Sequence, residues 1–355
     1  MMDSYSSRLL PKQSQSASTD VPVLQQVYCP QLNESACAAT ETARPFIVSI
    51  FNPIGHQRVG HLIKLPVTNV DTVFYSVTGP KGEEVVASLV AIPEYVQSLP
   101  GRSSRATYEL VFRVDLPPLG LATYFVSVSS TRSASSAPKA TETRITKQTV
   151  LSGQTVKVVF GDDGSLDSLE LPDGRSLKLA VDFQYFRGHT GNNIPDSHRA
   201  SGAYVFRPTD DQKTLRVGQI TTAELFASNT KTSGNLGVAE VHLQYDSFVN
   251  LVVRIDSTAD LLELDWVVGP IDIKDGLGKE VILTVSLPDL VNNRTFWTDA
   301  NGRQMLERKW NYRPTWRLNV SEPVSGNYYP VVSRIALVDE KKGIQVGNNQ
   351  LLNIF

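Results

Sequence analysis

A chain of 355 residues with 34 Lys and Arg against 36 Asp and Glu carries a formal charge of −2. That balance offers no basic field for nucleic acid and no polybasic patch for a membrane surface, so neither partner is expected. Its 41% hydrophobic and 20% charged residues describe a globular chain long enough to bury a sizeable core and to form two domains. No apolar run approaches the roughly 20 residues that a membrane-spanning helix needs.

Residues 1–42 read as a polar tail followed by a small loop. The tail is rich in Ser and Gln and lacks the apolar stretch of a signal peptide, while residues 23–27 look like the end of a helical segment. The sequence is therefore read as a piece of a longer protein. Cys29 and Cys37 bracket an N-glycosylation acceptor, Asn33-Glu34-Ser35, and further acceptors stand at Asn293-Arg294-Thr295 and Asn319-Val320-Ser321. Two cysteines suit free thiols in a cytosolic protein or a disulfide in a secretory or lysosomal one. An acceptor at the tip of the loop favours the disulfide.

Ordered structure is expected from Ala43. Phe46, Val48 and Ile50 alternate with Ile47, Ser49 and Phe51, a strand that stops at Asn52-Pro53. Residues 61–67, 72–77, 85–92, 108–114 and 121–128 continue the pattern at regular turn spacing, which predicts a small β-sandwich over residues 43–128. Residues 129–146 turn Ser/Thr/Ala-rich without periodicity and read as a linker.

From residue 147 to 355 a larger sandwich is expected. Val156, Val158 and Phe160 share a face, and Asp162-Asp163-Gly164 and Pro172-Asp173-Gly174 supply the turns of a meander. Further strands are read at 241–245, 262–266, 281–287 and 329–338. No ten residues show convincing 3.6-residue periodicity, so the fold class is all-β.

Chemistry concentrates in residues 296–330, which hold Trp297, Trp310, Trp316, Tyr312, Tyr328 and Tyr329 with Arg303, Arg308, Arg313 and Arg317 among them. Asp299-Ala300-Asn301-Gly302 marks a turn between two strands. Such a stretch suits a ledge for sugar rings, although packing of rings under Arg stems is the plainer reading. Glu263 and Asp265 lie two apart on one strand face and read as solvated rather than as a catalytic pair. His189, Asp196 and His198 share a Gly/Pro loop, yet loop histidines are usually solvated too.

Residues 296–330 (FWTDANGRQMLERKWNYRPTWRLNVSEPVSGNYYP), with SGAYVFRP at 201–208, WVVGPI at 266–271 and GKEV at 278–281, resemble in that order the C-terminal β portion of lysosomal-type α-mannosidases of glycoside hydrolase family 38. The resemblance runs from about Val27 to Gln345. It implies a galactose-mutarotase-like fold for the large sandwich, the Cys29–Cys37 pairing, and a lysosomal or secreted location. In that family zinc and the nucleophilic aspartate belong to an N-terminal α/β domain without a counterpart here. No catalytic residue, metal ligand or cofactor is therefore expected in this chain, which would serve as scaffold and wall for a zinc-dependent retaining hydrolase of terminal α-mannose.

Mannose-containing glycans and a catalytic domain or chain are the implied partners. Tyr204 is the foremost expected substrate contact, a phenol able to stack on a pyranose and donate to a hydroxyl, with Arg207, Asp299 and Arg303 behind it. The family continues with further strands beyond Val346, so the large sandwich is expected to be incomplete and to lean on a partner. The alternative is a non-catalytic carbohydrate-binding or structural β protein from a truncated isoform.

Overall fold

Alternating burial governs the first half of the chain. β1 (Phe46–Phe51) turns Phe46, Val48 and Ile50 inward and Ile47, Ser49 and Phe51 outward. β2 (Arg58–Val67), β3 (Phe74–Thr78), β4 (Glu84–Val85), β5 (Ala87–Ala91), α1 (Glu94–Gln97), β6 (Tyr108–Leu116) and β7 (Leu121–Ser129) follow. They form two antiparallel sheets, ordered β1-β7-β3-β4 and β2-β6-β5, closed over a core that includes Tyr75, Leu110, Phe112 and Tyr124. Residues 85–92, expected as one strand, are split between the sheets: Val85 pairs with Val77, whereas Ala87 pairs with Phe112. A strand that changes sheets makes the corner of the sandwich.

The computed structural model describes residues 26–147, 149–192, 194, 199–202, 204–209, 213–228, 238–246, 248–256, 261–339 and 344–347, the last four by backbone alone. The tail at residues 1–25, and Asp196 and His198 of the loop weighed as a metal site, lie outside these. Order begins before Ala43. Cys29 and Cys37 are bridged, with Cα atoms 5.2 Å apart, and Ser35, Ala36, Cys37 and Thr40 are buried. The Arg102 guanidinium donates to the carbonyls of Glu34, Ser35 and Ala106, and the Glu41 carboxylate accepts from the Cys37 N–H.

The rest of the chain supplies β8 (Thr141–Arg144), β9 (Val150–Ser152), β10 (Lys157–Phe160), β11 (Leu166–Glu170), β12 (Ser176–Lys178), β13 (Ala180–Arg187), β14 (Thr214–Arg216), β15 (Ile220–Ala227) and β16 (Ala239–Tyr245). β17 (Val249–Asp256), β18 (Leu261–Val268), β19 (Lys279–Ser286), β20 (Thr295–Ala300), β21 (Gln304–Lys309), β22 (Ile335–Asp339) and β23 (Ile344–Gly347) complete it. The sheets run β12-β11-β10-β9, β14-β13-β19, β18-β17-β16-β15-β8 and β21-β20-β22-β23. Among the described residues the chain is all-β apart from single helical turns. One core, including Val158, Phe160, Phe183, Leu243 and Leu251, joins three of these sheets. Gly164, in the Asp-Asp-Gly turn, has φ 82°, and a Cβ there would lie 2.4 Å from that of Ala223, so only glycine fits.

Two further expectations change. Thr141–Arg144, inside the segment read as a linker, is a strand paired with β15, and Ala137 beside it is buried in the first core. Its four side chains are all exposed, so no burial pattern marks it in the sequence. Of the stretch 329–338, only the end is a strand, β22 running Ile335–Asp339. The N–H groups of Val332, Ser333 and Arg334 are taken by the Asp299 carboxylate and cannot join a ladder.

Sheet β2-β6-β5 of the first sandwich packs against β18-β17-β16-β15-β8 through Val90, Val111 and Phe226, and through a buried chain of charges. Glu240, 1% exposed, accepts from Lys64 at 3.2 Å, bonds the His242 ring at 2.7 Å and lies 3.7 Å from Arg254. Lys64 also pairs with Glu109 at 2.8 Å, and Glu109 accepts from the Ser35 hydroxyl at 2.6 Å. Arg254 reaches Glu263 at 3.4 Å and Asp265 at 3.1 Å. Glu263 and Asp265, read as a solvated face, are thus ion-paired.

Burial alone would raise the Glu240 carboxyl, but Lys64, the His242 hydrogen bond and Arg254 hold it well below the ordinary range. Burial also works against charge on Lys64, yet Glu109 and Glu240 raise its pKa. Two other carboxyls move the opposite way: Glu263 is raised by burial, and Glu224 by burial and by the charge of Glu142 on the adjacent strand.

Removing one member of a buried ion group strands the others. Glu240→Gln should therefore lower stability by about 3–5 kcal/mol, read as a drop in the urea midpoint. Each contribution to the pH dependence has a definite sign. The depressed Glu240 contributes stability that is present above the unfolded pKa of about 4.3 and lost only in stronger acid. The raised Glu224 and Glu263 bind protons more tightly when folded, so their penalty fades as pH falls toward about 4.3. These two carboxyls favour the fold as pH falls from neutral, whereas burial lowers the His61 pKa and works against it over the same range. Glu224→Gln should shift the pH dependence of the thermal midpoint by removing part of the carboxyl contribution.

Candidate functional site

Residues 199–202 and 204–209 fold back along the end of β13. Gly188 bridges Pro208, the His189 N–H donates to the Arg207 carbonyl at 2.8 Å, and the Ser201 N–H donates to the His189 carbonyl at 2.8 Å. This return opens a cleft of about 460 Å³ beside the first residues of β19, within the size range of small-molecule pockets. Gly188, Gly202 and Gly278 leave parts of its wall as bare backbone. The rings of Phe206 and Tyr328 contribute apolar surface, nearly parallel at 7° with centroids 6.5 Å apart. Tyr204 stands on the rim, fully exposed.

Charge in the cleft is unevenly committed. The Lys279 ammonium donates to the Asp275 carboxylate at 2.8 Å and to the Asp272 carbonyl at 2.7 Å. Glu280 is exposed, and burial together with its charge pushes the Tyr328 phenol up. Aromatic faces, bare backbone, a phenol and one carboxylate suit a neutral ligand rich in hydroxyls.

Of the four residues expected to meet substrate, the cleft holds Tyr204 alone. Arg207 points to Glu322, its Nη2 and Nε both on that carboxylate, with Nε to Oε2 at 3.2 Å, while Nη1 donates to the Arg199 carbonyl. Asp299 is 3% exposed. It accepts from the N–H groups of Gly302, Val332, Ser333 and Arg334 at 2.7–3.0 Å, which hold its carboxyl far below the ordinary range. Its work is to close the β20–β21 hairpin, where Asn301 and Gly302 take φ 52° and 69° as the turn signal requires. Arg303 is exposed on that turn and its N–H donates to the Ala300 carbonyl.

The aromatic and Arg-rich stretch is largely packed on itself. Arg308 and Arg313 sit over the Tyr329 ring at 5.2 and 5.1 Å, and Phe296 meets that ring edge-on. Arg294 covers Trp310 at 4.8 Å. Trp310, Tyr312 and Trp316 keep outer faces exposed. Asn33, Asn293 and Asn319 are all exposed. Among the described residues no three His, Cys, Asp or Glu side chains converge to hold an ion.

Residues 151–352 match the model for the C-terminal domain of glycosyl hydrolases family 38. The chain belongs to that family. Residues 85–126 match the central domain of lysosomal α-mannosidase-like proteins. Lysosomal α-mannosidase from Bos taurus is 36% identical over 326 residues, and that from Homo sapiens is 36% identical over 328. Each alignment covers 91% of this chain but only 29% and 30% of the relatives, so the chain spans less than a third of their length. A probable α-mannosidase from Arabidopsis thaliana is 33% identical over 92% of the chain and 32% of that protein. The crystal structure of an α-mannosidase from Enterococcus faecalis aligns at a TM-score of 0.40 and 13% identity, covering 87% of this chain and 38% of that one.

Within this member of family 38 the cleft joins Tyr204 to Phe206, Glu280 and Tyr328. Phe206 and Glu280 lie in the SGAYVFRP and GKEV runs, and Tyr328 in the aromatic stretch, so each was in view without its role being legible. Only the fold brings residues 122 apart in sequence, such as Phe206 and Tyr328, into contact.

Separate fates are expected for the hairpin residues. Asp299→Ala should lower the thermal midpoint markedly, because four backbone donors lose their acceptor. Arg303→Ala should leave the midpoint unchanged. The Asp299 contribution, coming from a depressed carboxyl, should persist through mildly acidic pH and be lost only below its unfolded pKa of about 3.9.

Proposed function

We propose that this chain is the C-terminal β portion of a lysosomal-type α-mannosidase, acting as scaffold and sugar-pocket wall for hydrolysis of terminal α-mannose from N-glycans. The reading is supported above all by the family match over residues 151–352, joined to a hydroxyl-suited cleft with an exposed tyrosine at its rim. Tyr204 meets the sugar by stacking its ring and donating its phenolic proton. Arg207 supports it from behind, and Asp299 and Arg303 act through the hairpin.

A catalytic portion bearing zinc and the nucleophile is the partner, and mannose-containing glycans are the ligand. The names of the relatives favour a lysosomal or secreted location, with Asn33, Asn293 and Asn319 carrying glycans. The chain divides into two sandwich domains, with the second beginning at β8 (Thr141–Arg144) rather than at residue 147.

Two measurements check this reading. The purified chain, supplied with zinc, should not turn over p-nitrophenyl α-mannoside, and clear zinc-dependent turnover would refute the division of labour. Titration calorimetry with methyl α-mannoside should give weak binding that Tyr204→Ala reduces roughly tenfold, about 1.4 kcal/mol. No heat at millimolar sugar would remove the role given to Tyr204.

A further inference from the structure

We infer that a strap at residues 321–328, with Glu322 as its anchor, is the positioning element for Tyr204; this rests on the reading that Tyr204 meets the sugar. Three successive features of the strap grip the segment just beyond that tyrosine. The Glu322 carboxylate holds the Arg207 guanidinium at Nη2 and Nε, in the two-point geometry that fixes both angle and distance. The Ser325 hydroxyl donates to the Phe206 carbonyl at 2.6 Å. The Tyr328 ring stacks on Phe206, which also meets the ring of Phe186 on β13.

The grip matters because packing does not hold the Tyr204 side chain. Its side chain is fully exposed, so no core contact fixes it, and its place depends on the backbone that carries it. That backbone is held within the loop, where the Gly202 N–H donates to the Val205 carbonyl at 3.1 Å and the Arg207 N–H to the Ser201 hydroxyl at 3.3 Å. It is also tied to the end of β13, where the His189 N–H donates to the Arg207 carbonyl and the Thr209 N–H to the Arg187 carbonyl. The strap adds side-chain attachments at Phe206 and Arg207.

The strap is itself pinned. The Asn327 amide donates to Asn311 Oδ1 at 2.7 Å and to the Pro323 carbonyl at 2.9 Å, and its Oδ1 accepts from the Asn311 N–H at 3.0 Å. Arg313 donates to the Gly326 carbonyl at 2.6 Å and to the Tyr329 hydroxyl at 2.5 Å. The turn that follows β21 thereby holds the strap, and the strap holds the tyrosine. Glu322 acts on Tyr204 through Arg207 and is a positioning residue rather than a ligand contact.

The test compares the chain with Glu322→Gln and with the exchanged pair Arg207→Glu plus Glu322→Arg. Two quantities are read on each: amide hydrogen exchange at residues 204–209, and the affinity for methyl α-mannoside by calorimetry. Glu322→Gln should speed exchange there at least tenfold and weaken binding at least fivefold, with the thermal midpoint unchanged. The exchanged pair should restore both. Weakened binding with unaltered exchange would mean that Glu322 touches the sugar directly and would overturn the positioning role, as would no change in either quantity. If the unaltered chain binds no mannoside, the reading of Tyr204 falls, and exchange alone then decides: acceleration reversed by the swap supports the strap, and unaltered exchange overturns it.

Discussion

The buried carboxylate of Glu240 is the point on which the two sandwiches turn. It lies on a strand with both faces covered: Val241, Leu243 and Tyr245 face the large core, while Glu240 and His242 face the first sandwich. A charge so placed is tolerable only with partners, and they come from both sides, Lys64 from β2, His242 from its own strand and Arg254 from β17. Apolar contact between the two sheets is modest, with Val90, Val111 and Phe226 fully buried in it. The charge chain therefore adds polar contacts to a junction with few buried apolar residues.

That chain does not stop at the interface. Lys64 passes it to Glu109, and Glu109 to Ser35, which sits two residues before bridged Cys37. The disulfide loop thus borrows its order from the same network, aided by Arg102 on its carbonyls. A segment with no apolar strand of its own becomes ordered because polar groups beneath it need partners.

At the other end of the molecule, arginines and aromatic rings do comparable work without burial of charge. Arg308 and Arg313 bracket Tyr329, and Arg313 extends to the 3-10 turn at Ser325–Asn327. Guanidinium groups suit this role because they stack on rings with one face and donate in plane with their edges. A stretch that looks like a ledge for ligands is mostly a frame, and what it frames is the cleft formed by Phe206, Tyr328 and the return of the chain past β13.

Much of this was written along the chain. Alternation at Phe46–Phe51 announced its strand and its inward face, Asp-Asp-Gly and Asn-Gly announced their turns, and runs such as SGAYVFRP pointed to a family and to Tyr204. These signals are local, set by side-chain period and by allowed φ, so no fold is needed to read them. β17 went unseen because both its faces are buried, which erases the alternation. Thr141–Arg144 passed for a linker because none of its side chains is buried.

The duties of the polar residues were decided only by tertiary structure. Asp299 had the type and the neighbourhood of a substrate contact, yet four backbone N–H groups converge on it; Glu263 and Asp265 had the pattern of a solvated face, yet Arg254 faces them. Sequence determined the strands that alternate, the turns and the family, because those follow from neighbours along the chain. Which carboxylate closes a hairpin, which locks two sheets and which stands in a cleft depends on partners tens to more than a hundred residues away, and only folding supplies them.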